Sequence, residues 1–125
     1  MKTSSTPRAT ARSSIHLRAQ LAPGIAIGPG KADLLEGIRD TGSIAAAGRR
    51  MHMSYRRAWQ LIGELNRSFR RPLVESSKGG AGGGGAQLTR LGETVLDRYA
   101  RMRSAAASAV AADVAVLRRL VARDP

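Results

Sequence analysis

Apolar residues recur at steps of three and four along several stretches of the chain, which marks amphipathic helices. Leu34, Leu35 and Ile38 give one face to a helix over Lys31 to Asp40. Gly42, behind Thr41, suits a left-handed C-terminal cap, because the missing Cβ removes the steric penalty there. Ser43 is a hydroxyl N-cap, and Ile44, Ala47, Gly48 and Met51 follow it at helical spacing. The small residues Ala45 to Gly48 leave room for another helix to cross closely. Ser54 is a second N-cap. Tyr55, Ala58, Trp59, Ile62, Leu65 and Phe69 then form one stripe, which places Trp59 in the core. Arg56, Arg57, Gln60 and Arg67 fall largely off that stripe and face outward.

Between the helices the pattern shortens to alternation. Ile15, Leu17, Ala19 and Leu21 alternate with His16, Arg18 and Gln20, which predicts a strand over 14–21. Pro23-Gly24 is a turn, Ile25 to Ile27 a second strand, and Gly28-Pro29-Gly30 a break. Pro72 to Ser76 and Ala86 to Leu88 are two more short strands. Six of the seven residues from Gly79 to Gly85 are glycine, so this stretch forms no core element and is entropically expensive to order. Between two strands it reads as the tip of a hairpin, a wing whose bare backbone N–H groups approach a phosphate backbone while Lys78 adds charge. A nucleotide-binding loop needs Gly-Lys-Ser/Thr running into a helix, whereas Lys78 precedes these glycines. A plain flexible linker has the same composition.

Thr89 N-caps the last pattern, in which Leu91, Val95, Tyr99, Met102, Ala106, Val110, Val114, Leu117 and Val121 keep helical steps. No Gly or Pro interrupts it between Glu93 and Asp124. A single helix of about thirty residues is ~45 Å long, more than one small domain covers. Its outer half is expected to bury its stripe against a second copy in a two-fold dimer, with Ala105 to Ala107 and Ala111-Ala112 allowing close approach. Two shorter helices folded back on the domain are the alternative.

Charge sharpens the picture. The 125 residues carry 21 Lys+Arg against 9 Asp+Glu, a formal net charge of +12, which favours a polyanionic partner. Seven arginines and one acid, Glu64, lie between Arg49 and Arg71, so the excess sits on the paired helices. Cysteine is absent, which excludes disulfides and thiolate metal sites. No apolar run approaches the ~20 residues of a membrane span. Residues 1–13 are basic and Ser/Thr-rich without an apolar stretch, and read as a disordered tail. Met51-His52-Met53 reads as turn and core plugs rather than a metal site. No Ser/His/Asp set or carboxylate pair is evident, so neither catalytic residues nor a cofactor are expected.

A helix with basic residues in its first turn, held by a short helix before it, is the helix-turn-helix pattern. There the second helix enters the major groove of double-stranded DNA. Arg56 and Arg57 suit guanine edges or phosphates, and Gln60 suits adenine. A helical hairpin with a solvated arginine face shares the periodicity. The expected fold is mainly α with a small β-wing: a winged helix-turn-helix over 14–88 and a long dimerisation helix over 89–125.

Gly42-Ser43-Ile44 with Ala46-Ala47, Met53-Ser54-Tyr55, Ala58-Trp59, Ile62, Leu65-Asn66, Val74-Glu75 and the block from Gly79 to Thr89 resemble the N-terminal DNA-binding domain of the ModE family. These are molybdate-responsive transcriptional regulators with a winged helix-turn-helix related to that of LysR-type regulators. The resemblance runs from about Ile25 to Met102. It implies a cytoplasmic, nucleoid-associated homodimer on an A/T-rich palindromic operator of molybdenum-related genes. It also implies DNA contacts at Ser43, Ser54, Tyr55, Arg56, Arg57 and Gln60. On the wing side it implies Lys78, Gly79, Gly80, Gly82, Gly83, Gly84, Gly85, Thr89 and Arg90. The dimer interface would use Val95, Tyr99, Met102, Ala106, Val110, Val114, Leu117 and Val121. Family members carry a C-terminal molybdate-binding barrel, for which this sequence has no run of alternating strands. Molybdate therefore enters by analogy alone, and a response to it is expected to need a separate molybdate-binding partner chain or another control. The competing function is a non-specific architectural DNA-binding protein, which the charge and the glycine wing also allow.

Overall fold

The computed structural model describes residues 15–77 and 85–122. The expected tail over 1–13 and the wing tip from Lys78 to Gly84 lie outside the described residues. Contacts divide the chain into two units, residues 18–99 and residues 100–125 with 1–17.

The first unit begins with an antiparallel pair, β1 (Ala19–Ala22) and β2 (Ile25–Ile27), turned at Gly24 with φ 77°. β1 is shorter than the strand expected over 14–21, because the three residues of β2 offer partners only from Ala19 onward. The register shifts between Gln20 and Ala22, which leaves Leu21 unpaired and exposed. Helix α1 (Pro29–Thr41) starts where a break was expected. Proline at the first helical position loses no hydrogen bond, since that N–H has no partner in the helix, and its fixed φ suits the turn. Leu34, Leu35 and Ile38 are fully buried. Gly42 closes the helix at φ 72°, its N–H donating to the Ile38 carbonyl at 2.8 Å.

Helices α2 (Ile44–Arg50) and α3 (Tyr55–Ser68) follow, each capped by its expected serine. Ser43 Oγ accepts from the Ala46 N–H and Ser54 Oγ from the Arg57 N–H, both at 3.0 Å. Small residues set the crossings: a Cβ on Gly37 would lie 2.9 Å from the Ala47 Cβ, and one on Gly48 would lie 3.2 Å from the Ala58 Cβ. The buried face of α3 is Ala58, Leu61, Ile62 and Leu65. Trp59, expected in the core, is instead 52% exposed, and Tyr55 is exposed beside it. Leu61 completes the stripe in their place, because it lies on the same turn-to-turn row as Ala58 and Leu65.

β3 (Val74–Ser77) and β4 (Gly85–Leu88) form an antiparallel hairpin with Val74 opposite Leu88 and Ser77 opposite Gly85. Helix α4 runs unbroken from Arg90 to Leu120. Its first turns belong to the first unit: Leu96 and Tyr99 are buried, and Gly92 packs against the Leu73 carbonyl, whose oxygen would be 2.2 Å from an added Cβ. The division of the chain into contact units falls after Tyr99. Of the second unit, the helical residues are Ala100 to Leu120, with Val116, Leu117 and Leu120 exposed. Among the described residues no helix is long and apolar enough to cross a membrane.

Candidate nucleic-acid interface

The elbow between α2 and α3 is fixed by backbone bonds. The Gly48 carbonyl accepts from the Met51 and Met53 N–H groups, both at 3.0 Å, and the Arg49 carbonyl accepts from the His52 N–H at 3.1 Å. The turn requires φ 59° at His52, the one non-glycine residue in the left-handed region among those described. Met51 and Met53 are half-buried. With the Ser54 cap, these bonds set where α3 begins and which residues it turns outward.

The outward row of α3 is Arg56, Gln60, Gly63 and Arg67, at helical steps opposite the buried stripe. Arg56, Arg57, Gln60 and Arg67 are exposed. Two arginines are paired with acids: Arg39 meets Glu36 and Asp40 at 3.4 Å, and Arg50 meets Asp40 at 3.3 Å. Arg49, Arg56 and Arg57 enter no ion pair among the described residues, so the lead turn of α3 carries uncompensated positive charge. On the flank toward the hairpin, Tyr55 and Trp59 meet edge to face, with ring centroids 6.4 Å apart and planes at 72°. Trp59 Nε1–H donates to Tyr55 Oη. The rings line an open cleft of about 440 Å³ between the start of α2, α3 and the hairpin.

The hairpin is spliced to α3 and α4 by side chains. Asn66 Oδ1 accepts from the Leu73 and Val74 N–H groups at 2.8 and 3.1 Å, and its Nδ2 donates to the Val74 carbonyl at 3.1 Å. Thr89 Oγ1 donates to the Pro72 carbonyl at 2.8 Å and accepts from the Gly92 N–H at 3.0 Å, while its own N–H donates to Leu73 at 2.9 Å. From the other side, the Ala86 N–H donates to the Gly42 carbonyl at 3.0 Å. Helix α3 and the base of the hairpin are thus held in one frame.

The expected DNA contacts distribute as follows. Ser54, Tyr55, Arg56, Arg57 and Gln60 are exposed together on the first turns of α3. Ser43, half-buried, lines the cleft with its hydroxyl used as a cap. Thr89 is half-buried and its hydroxyl holds the wing base, whereas Arg90 is exposed. Gly85 is half-buried at the end of β4, and Lys78, Gly79, Gly80, Gly82, Gly83 and Gly84 lie outside the described residues. Of the expected interface residues, Met102, Leu117 and Val121 are exposed, and Val95, Ala106, Val110 and Val114 half-buried. Tyr99 is 2% exposed in the single chain. Asn66 and the surface position of Trp59 escaped the sequence reading. The signal for the second was Leu61, which with Ala58, Ile62 and Leu65 already makes a full stripe. Among the described residues no three His, Asp or Glu side chains are grouped to hold a metal.

Residues 32–93 match the family described as bacterial regulatory helix-turn-helix protein, lysR family. The chain is similar to the molybdenum-pterin-binding protein MopA of Rhodobacter capsulatus, 36% identical over 75% of this chain and 36% of that protein. It is also similar to the DNA-binding transcriptional dual regulator ModE of Escherichia coli K12, 41% identical over 57% of this chain and 27% of that protein. The chain thus spans about a third, or less, of the length of these relatives. Its fold is that of the DNA-binding domain of CbnR in a DNA complex, with a TM-score of 0.57 and 22% identity over 70% of this chain and 95% of that one.

Proposed function

We propose, from the match of residues 32–93 to the lysR-family helix-turn-helix model and the similarity to ModE, that the chain is a sequence-specific DNA-binding transcriptional regulator and not an enzyme. In this reading α3 lies in the major groove with Arg56 and Gln60 toward base edges. The hairpin runs beside it along the phosphates or the minor groove, where Lys78 and the glycine backbone make contacts indifferent to sequence. Two copies pair through α4, so two half-sites of a palindrome are read about one helical turn apart. The names of the relatives point to genes of molybdenum uptake or use as targets, in a bacterial cytoplasm.

The observation that supports this reading is the unpaired lead turn of α3. Arg56, Arg57 and Gln60 are exposed on a helix whose start is fixed by the Ser54 cap and the Gly48 elbow. The test is selection of duplexes from a random library by the purified chain, followed by titration of the enriched duplex against salt and competitor. A regulator prefers its site over unrelated DNA by about 10³ or more. Equal binding to all duplexes, with the same salt slope, would assign the architectural role instead.

A further inference from the structure

The Tyr55–Trp59 pair has no part in the core and no basic group, yet it occupies the lead turns of the helix that carries Arg56 and Gln60. We propose that Trp59, oriented by Tyr55, is a specificity-determining residue that reads the C5-methyl group of thymine in the major groove. The inference rests on α3 being the DNA-reading helix.

Three observations converge. Trp59 is 52% exposed, and its single donor is spent on Tyr55 Oη, so the indole offers a neighbour apolar surface only. The rings open onto a cleft walled by Ile44, Ala45 and Ile62 together with Ser43, Asn66 and Ser76, of which Ser43 and Asn66 already spend their side chains on backbone groups of the fold. The hairpin side of the same cleft carries Glu75, whose carboxylate accepts from Gln87 Nε2–H at 2.8 Å and whose negative charge disfavours a phosphate there. The group that meets the ring faces is therefore apolar and uncharged, yet belongs to a polyanion that meets Arg56 and Gln60 one row away. Among the groups that unmodified DNA presents in its major groove, the thymine methyl has that character.

The experiment takes the duplex enriched by the wild-type chain and replaces its thymines with deoxyuridine one at a time, which removes only the methyl group. Losing one buried methyl is expected to weaken wild-type binding about fourfold. One or two thymines per half-site should show this loss, the same replacement should leave Trp59→Ala unaffected, and Trp59→Phe should keep part of the sensitivity. Circular dichroism confirms that each variant folds, as expected for a half-exposed position. A wild-type chain indifferent to every deoxyuridine, or a Trp59→Ala variant as sensitive as wild type at all of them, overturns the proposal while leaving the regulator reading standing. Failure to enrich any duplex overturns both.

Discussion

At the scale of single residues, the outward face of α3 depends on positions that lie off it. His52 sits at φ 59° so that the Gly48 carbonyl can accept two N–H groups and aim α3. A side chain in that region costs about 1–2 kcal/mol, whereas glycine there gives back about 0.5–1 kcal/mol in unfolded-chain entropy. His52→Gly is expected to stabilise the chain by up to about 1 kcal/mol in a urea titration, and a loss of stability would show that the imidazole makes a contact that matters. Arg56 and Lys78 separate the two kinds of DNA contact. Arg56→Ala should cost about 1–3 kcal/mol at one base position per half-site and relax preference there. Lys78→Ala should weaken every duplex alike and lower the salt slope by about one unit. If Arg56→Ala and Arg57→Ala both leave sequence preference intact, α3 does not read bases. Much of this surface was legible from the chain: a serine before a basic turn announces a cap and an outward face. Trp59 was not, since a large apolar residue at helical spacing from other apolar residues reads as core whichever side of the stripe it borders.

At the scale of elements, the wing base is the tightest joint. The Leu73 carbonyl takes the Thr89 N–H, and Gly92 packs so close that a Cβ would stand 2.2 Å from that oxygen. Backbone on both sides leaves nothing flexible to yield. Gly92→Ala is therefore expected to destabilise by about 3 kcal/mol, the upper end for overpacking, measured by thermal or urea unfolding. A variant within 0.5 kcal/mol of wild type, about the range for an unremarkable surface change, would mean that α4 can shift away from the hairpin. The elements themselves followed from local chemistry: Gly42, Ser43, Ser54 and Thr89 mark helix ends by mechanisms that need no tertiary information. The joints between them did not. Asn66 bonds to residues seven and eight positions later, and only the placement of β3 against α3 makes those N–H and C=O groups its partners. The early start of α1 has the opposite cause, since Pro29 breaks a helix interior but suits a first turn.

At the scale of the whole molecule, α4 poses the remaining question of what its far end is for. Gly92, Leu96 and Tyr99 of α4 are buried within the chain itself. Farther along, Leu117 is 62% exposed, and Leu120 and Val121 are more exposed still. Apolar side chains repeated on one helix in that condition gain most by meeting the same surface of another copy, which a two-fold axis supplies. The proposed dimer thus pairs along α4, with Leu117 near the far end of the expected stripe. Leu117→Glu tests it cleanly because the position is exposed in the single chain, so the charge meets water there and should leave helix content and urea stability of the monomer unchanged. In a dimer the same carboxylate would be desolvated opposite its symmetry mate, an unfavourable like-charge contact. Light scattering is expected to show the wild-type chain as a dimer at micromolar concentration and Leu117→Glu as a monomer. The variant should then bind a single half-site nearly as wild type does while losing its preference for the full palindrome. A wild-type monomer, or a Leu117→Glu variant that remains dimeric with its palindrome preference intact, would place the pairing surface elsewhere on the chain.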